Sequence, residues 1–100
     1  PKAPTPKELE VFGEMLEDLI GTRGAYVLDE KLNILGKVPL SELQGTIKSL
    51  HSGIYAVVFD GVIDRDLLMI AERANVSFLI AMDTKLKSTG RVAILTSDDL

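Results

Sequence analysis

Two apolar segments with an amphipathic segment between them constrain the fold of this chain most strongly. Residues 55–59 and 78–82 are almost continuously apolar, whereas residues 65–75 repeat apolar side chains at helical spacing. Apolar runs without alternation are typical of strands covered on both faces, as in a parallel sheet. The sequence therefore predicts a βαβ unit. Asp60 follows its first strand, at the sheet edge where open α/β sheets usually bind ligands.

The segments around this unit complete a predicted α/β domain. A helix that ends at Gly21 is followed by strands over residues 25–28 and 32–38, which are predicted to form a hairpin. Pro39 ends that pairing and opens a second helix, and residues 92–95 form the last strand. The predicted order is α-β-β-α-β-α-β-β, in a mixed, mainly parallel sheet with flanking helices.

Individual residues mark the helix ends. Thr5 and Glu8 have the spacing of a capping box, which predicts that the first helix begins there. His51 is interpreted as a residue at the C-terminus of the second helix rather than as a general base, because no Ser or Cys motif accompanies it. Gly45 lies inside that helix, where it costs about 1 kcal/mol relative to alanine without a reason visible in the sequence.

Composition excludes several classes of protein. The chain has no cysteine and one histidine, so a disulfide scaffold, a thiolate metal site and a His-rich metal site are excluded. No apolar run approaches the roughly 20 residues of a membrane-spanning helix. The lack of cysteine fits a cytoplasmic protein. Residues 1–6 hold three prolines and are predicted to be an extended linker, so we expect residues 7–100 to form one domain of a longer protein.

Carboxylates at the predicted strand ends are candidate metal ligands. Asp60 follows one strand, and Asp98 and Asp99 follow the last one. Such side chains hold Mg²⁺ when they converge, which requires the two strands to be neighbours. The favoured alternative is that Asp60 belongs to a turn and that Asp64 caps the following helix, with Asp66 in its first turn.

The segment of residues 85–91 is the main basic feature of an otherwise acidic chain. Lys85, Lys87 and Arg91 are three of its eleven basic residues, and the net charge is −4. These side chains are candidate contacts to RNA phosphates or to a partner protein. The segment has no aromatic residue for base stacking, which favours the alternative of a solvated loop. The phosphate-binding patterns G-x-x-x-x-G-K-[ST] and G-x-G-x-x-G are both absent.

Four segments together resemble a known family. The sequences of residues 28–33, 38–43, 55–63 and 96–100 are, in this order and spacing, similar to the C-terminal domain of archaeal DnaG-type primases. The resemblance covers roughly residues 14–100. It rests mainly on the combination Y-A-V-V-F-D-G with V-P-x-x-E-L.

The resemblance implies a role in support of a larger enzyme. In this family the Mg²⁺-dependent synthesis of RNA primers for DNA replication, a nucleotidyl transfer, belongs to a separate toprim domain. The Asp-x-Asp motif of that domain has no counterpart after a buried strand here, because Asp64 and Asp66 open a helix. Members are also found with the RNA exosome, linked through an exosome cap subunit, where they favour adenine-rich RNA.

Three hypotheses follow for this chain. The first is a non-catalytic, cofactor-free protein-interaction domain that links the primase to the exosome cap subunit. The second is a degenerate toprim-like domain that binds Mg²⁺ through Asp60, Asp98 and Asp99. The third is an adenine-rich RNA-binding module that uses Lys85, Lys87 and Arg91.

Overall fold

The strand order of the main sheet confirms the predicted α/β architecture. The computed structural model describes residues 2–100, and Pro1, the first residue of the predicted linker, lies outside the described residues. Within that range the chain forms three α-helices, seven strands and a short 3-10 helix. These are α1 Pro6–Leu19, β1 Gly24–Leu28, β2 Ile34–Pro39, α2 Leu40–Leu50, β3 Ala56–Phe59, β4 Val62–Ile63, α3 Arg65–Arg73, β5 Phe78–Ala81, β6 Asp83–Thr84, β7 Ala93–Thr96 and the 3-10 helix Ser97–Asp99.

Five strands form the main sheet in the order β2-β1-β3-β5-β7. Strand β1 is antiparallel to both β2 and β3, whereas β3, β5 and β7 are parallel to one another. Four of the five strands therefore run in one direction, as expected for a mixed, mainly parallel sheet. Strands β4 and β6 pair separately as a short parallel ladder, which the sequence did not predict.

The βαβ unit β3-α3-β5 forms because its strands are apolar on both faces. Every residue of β3 and β5 is buried. Helix α3 begins after Asp64, whose side chain accepts a hydrogen bond from the backbone N–H of Leu67 at 2.9 Å. The alternative role given to Asp64, as the cap of this helix, is thus confirmed.

Helices cover both faces of the sheet and produce two apolar clusters. One cluster lies under α2 and α3, and the other lies under α1. The first includes Leu43, Ile47, Val57, Phe59, Leu67, Ala71, Leu79 and Ile94. The second includes Phe12, Leu16, Leu19, Leu28, Val58, Phe78 and Ile80. Because β3 and β5 contribute alternate side chains to both clusters, these two strands hold the three layers together.

Helix α1 has the predicted ends. Thr5 and Glu8 form the capping box in both directions, and Gly21 adopts a φ of 83° directly after the helix. The helix begins at Pro6, which was predicted to be the last residue of the linker. Ile20 is 55% exposed, because it lies at the C-cap where the chain leaves the helix.

Helix α2 carries a glycine that no internal contact explains. A Cβ atom added to Gly45 would meet no heavy atom within 4 Å. Leu43 and Ile47 are buried, whereas Leu50 is 41% exposed at the end of the helix.

The structure therefore predicts that Gly45→Ala is stabilising. Alanine lowers the conformational entropy of the unfolded chain and meets no steric obstacle here, so the free energy of unfolding is expected to rise by about 0.5–1 kcal/mol. Urea denaturation followed by circular dichroism measures this change. A loss of stability would show that position 45 is more crowded than the structure indicates.

Candidate functional site

The carboxyl edge of the parallel strands holds Asp60, the first predicted site residue. Its Oδ2 atom accepts hydrogen bonds from the backbone N–H groups of Gly21 at 3.0 Å and Arg23 at 2.9 Å. Both donors lie in the turn between α1 and β1, where the two residues have positive φ. This carboxylate therefore fastens that turn to the end of β3.

We predict that the role of Asp60 is structural. Asp60→Ala removes the acceptor of two exposed N–H groups, which water can then solvate. The free energy of unfolding is therefore expected to fall by about 1 kcal/mol. The free energy of unfolding, measured with and without millimolar Mg²⁺, checks this. Asp98→Ala is the matched control, because Asp98 is exposed and is expected to change stability by less than about 0.5 kcal/mol. Stabilisation by Mg²⁺ that disappears only in Asp60→Ala would contradict the prediction.

The other two candidate carboxylates lie beyond an intervening strand. Strand β5 separates β3 from β7, so their carboxyl ends are about 10 Å apart at the usual strand spacing. Asp99 accepts hydrogen bonds at Oδ2 from the N–H and hydroxyl of Thr96, at 2.8 and 3.3 Å. Within residues 2–100 no group of three or more His, Cys, Asp or Glu side chains has the geometry to hold a metal ion. The structure thus does not bring Asp60, Asp98 and Asp99 together.

The basic segment of residues 85–91 connects the carboxyl edge to the start of β7. Lys85, Lys87 and Arg91 are all exposed, whereas Leu86 packs against the cluster under α2 and α3. Hydrogen bonds from side chains to nearby backbone groups, such as those between Thr84 and Leu86, hold the backbone in place. The three charges are therefore displayed on a connection that is anchored by Leu86.

The outer edge of β7 is covered by the same connection. Ser88 Oγ accepts a hydrogen bond from the N–H of Ile94 at 2.8 Å and donates one to the Ile94 carbonyl at 3.4 Å. One side chain thus replaces the neighbouring strand at this residue. The edge is closed to further pairing at its centre.

The amino end of β3 holds a polar network that sequence reasoning missed. The Tyr55 hydroxyl donates a hydrogen bond to Glu8 Oε2, and the backbone N–H of Thr5 donates to Glu8 Oε1 at 2.9 Å. Glu8 is only 9% exposed. Lys2 Nζ lies 4.8 Å from the centroid of the Tyr55 ring. The capping-box pattern identified Glu8 and Thr5, but no sequence signal pointed to Tyr55.

Hydrogen bonding outweighs burial at Glu8. Burial alone would raise the pKa of the Glu8 carboxyl, but the bonds from Tyr55 and Thr5 lower it below the ordinary value. Burial and the bond to Glu8 raise the pKa of the Tyr55 hydroxyl. The pair is therefore held as carboxylate and neutral phenol at neutral pH, which suits a structural clasp between α1 and β3.

An open polar depression lies beside this network. Its lining includes Asp29, Asn33, Tyr55, Asn75 and Ser77. Asp29 accepts hydrogen bonds from the backbone of Asn33 and Lys31, and these bonds lower the pKa of its carboxyl. The Asp29 carboxylate is thus already used to form the turn between β1 and β2.

Curated relatives named DNA primase DnaG cover most of this chain. The protein from Methanocella arvoryzae is 35% identical over 100 residues, which is 96% of this chain and 21% of that protein. The protein from Methanothermobacter thermautotrophicus is 33% identical over 81% of this chain and 21% of its own length. The protein from Pyrococcus furiosus is 38% identical over 69% of this chain and 15% of its own length. No family model and no solved structure matches the chain.

The relatives and the fold agree with the resemblance found in the sequence. The chain spans only 15–21% of the length of the relatives named above, so it corresponds to a domain-sized part of them. No helix within residues 2–100 is long and apolar enough to cross a membrane. The chain belongs to the archaeal DnaG-type primase family.

Proposed function

We propose that this chain is a non-catalytic protein-interaction domain of a DnaG-type primase, and that its partner is the cap subunit of the RNA exosome. The observation that carries the non-catalytic part is the use of the carboxylates at the strand ends. Asp60 and Asp99 accept hydrogen bonds from backbone N–H groups of their own chain. Side chains that are occupied in this way hold the fold together rather than a metal ion.

The chemistry of the parent protein is proposed to lie outside this chain. Primer synthesis is a nucleotidyl transfer that depends on Mg²⁺, and Mg²⁺ needs several converging oxygen ligands or a bound phosphate. The described residues hold no cluster of three acidic side chains that could supply such ligands. The chain spans about a fifth of its first relatives, which leaves most of the parent for the catalytic domain.

Two charged surfaces are available to a partner. Helix α1 displays Glu10, Glu14, Glu17 and Asp18 to solvent, and the connection after β6 displays Lys85, Lys87 and Arg91. Contacts made through either surface are screened by salt. A complex that survives about 1 M salt would therefore depend on apolar side chains instead.

An amide NMR titration of the ¹⁵N-labelled domain tests the proposal. The exosome cap subunit is added in one sample and an adenine-rich RNA in another. Shifts with the cap subunit alone support the proposal and locate the contact surface. No binding of the cap subunit would contradict it.

The RNA sample tests the competing function. Shifts with RNA that centre on residues 85–91 would show that the domain binds nucleic acid itself. The variant in which Lys85, Lys87 and Arg91 are all alanine would then lose RNA binding, because these charges would contact phosphates. A variant with Glu10, Glu14 and Glu17 changed to glutamine is the control for a general charge effect. The expected result is that neither the unmodified domain nor either variant binds the RNA.

A further inference from the structure

The two edges of the main sheet differ in how they are protected. At β7 the Ser88 hydroxyl forms hydrogen bonds with both the N–H and the C=O group of Ile94. At β2 no hydrogen bond beyond the ladder to β1 involves residues 35–38, among the residues that the structure describes. Strand β2 thus presents free N–H and C=O groups along one side, which is a template for another strand.

A groove of mixed polarity accompanies the free edge. It lies between β2 and α2, where Leu35, Gly36, Val38, Gly45 and Leu50 form its apolar part and Ser41, Glu42, Thr46 and Ser49 its polar part. Leu35 is 47% exposed and Leu50 is 41% exposed, so both present apolar surface to solvent. A bulge between Val27 and Leu28 in the register of the hairpin leaves Leu35 without a partner in β1.

The helix glycine keeps this groove open. Gly45 meets nothing within the chain, and yet it costs helix stability relative to alanine. A larger side chain at this position would project into the space beside β2. A partner that fills the groove is a physical reason for a glycine that internal packing does not explain.

We propose that the free edge of β2 binds an extended segment of a partner protein, which adds to the sheet as a further strand. This mode of recognition uses main-chain hydrogen bonds for affinity and alternate side chains for specificity. The inference rests on the proposed function in one respect, which is that the ligand is a protein.

The faces of β2 define the chemistry of that segment. Val38 pairs with Ala25, which faces the cluster under α2 and α3, so the side chains opposite Gly36 and Val38 point to the groove. Lys37 pairs with Tyr26 on the other face, and its Nζ lies 5.5 Å from the Tyr26 ring centroid. The segment that fits therefore alternates an apolar, an acidic and an apolar residue, with the acidic one opposite Lys37.

A second copy of this chain fits the edge less well. In residues 36–38 the register with β1 has no bulge. A symmetric antiparallel pair formed by this segment and the same segment of a second copy would be centred on Lys37. It would place the two Lys37 side chains directly opposite each other, and like charges in that position are destabilising. Charge complementarity thus favours another protein over self-association.

Synthetic peptides test the proposal without any exosome subunit. The first peptide carries Val-Glu-Val between threonines, and its control carries Val-Lys-Val. The first is expected to shift the amide signals of β2 and α2 and to slow hydrogen exchange of amides in residues 35–38. The control is expected to bind at least about tenfold more weakly, because it opposes Lys37 with a like charge.

Two variants of the domain separate the groove from the rest of α2. Gly45→Arg fills the groove and is expected to weaken binding of the first peptide at least about tenfold. Gln44→Arg adds the same charge outside the groove and is expected to leave the affinity for this peptide within about twofold of the original value. Equal effects of the two variants would overturn the proposal, as would the absence of shifts at about 1 mM peptide. Concentration-dependent shifts of β2 without peptide would identify a second copy as the occupant and also overturn it.

The cap subunit titration distinguishes the two proposals. If the cap subunit binds but shifts only residues far from β2, and the Val-Glu-Val peptide shifts no residue of β2, the proposed function stands and the inference about the β2 edge fails. If the cap subunit does not bind and the Val-Glu-Val peptide does, the edge is a docking site for a different protein. Neither result depends on the other.

Discussion

Phe78→Ala is expected to destabilise the domain more than any other substitution considered, by about 3–5 kcal/mol. Phe78 is fully buried in β5, an interior strand of the main sheet. Its ring lies 5.5 Å from that of Phe12 and 5.4 Å from that of Tyr55, measured between centroids. Truncation therefore removes apolar burial, two aromatic contacts and the packing of α1 on the sheet. Equilibrium urea denaturation of the variant measures the loss.

Two controls define this prediction. Phe78→Leu keeps most of the volume and is expected to cost less than about 1.5 kcal/mol. Met69→Ala removes a side chain that is 42% exposed and is expected to cost less than about 1 kcal/mol. A loss below about 1 kcal/mol for Phe78→Ala would mean that α1 is not packed on β5 as the structure shows.

Tyr55→Phe is expected to cost about 1.5–3 kcal/mol at neutral pH, because it removes the hydrogen bond to a buried carboxylate. Glu8 then keeps only the bond from the Thr5 backbone, and its desolvation is less well compensated. Tyr26→Phe is the matched control, since the Tyr26 ring contacts Lys37 and the variant keeps that ring. A similar loss in both variants would contradict a specific role for the Tyr55 hydroxyl.

The same pair predicts how stability depends on pH. The folded pKa of Glu8 lies below the ordinary value of 4.5, so the unfolded chain binds the proton more readily. The stabilisation is therefore present above about pH 4.5 and is lost as pH falls through the folded pKa. In Tyr55→Phe this acid dependence is expected to become shallower. An unchanged profile in urea denaturations across that range would show that Tyr55 does not set the Glu8 pKa.

Local signals in the sequence identified the βαβ unit and most helix ends. The apolar runs of β3 and β5 are unambiguous because both faces of these strands are covered by helices. The roles of Thr5, Gly21 and Asp64 at the helix ends could be predicted, because each role depends only on residues within four positions in the sequence. These features needed no knowledge of distant contacts.

The long-range pairing of strands could not be predicted from the sequence. Nothing local shows that β1 inserts between β2 and β3, since that choice depends on the packing of the whole sheet. Strands β4 and β6 have two residues each, which is too short for a periodicity to be seen. The role of Asp60 was missed for the same reason, because the turn that it fastens lies 37 and 39 residues earlier in the chain.

The order of the strands also affects how the domain folds. After the hairpin of β1 and β2, the main sheet grows in one direction. Strand β3 pairs with β1, then β5 pairs with β3, and finally β7 pairs with β5. The entropy of loop closure is thus lost in small steps. Helix α1 is different, because the ring of Phe12 packs on Phe78 in a distant part of the chain, and we expect this long-range contact to form late. Contacts that form after the transition state govern unfolding, so substitutions at Phe12 are expected to accelerate unfolding and to leave the folding rate nearly unchanged.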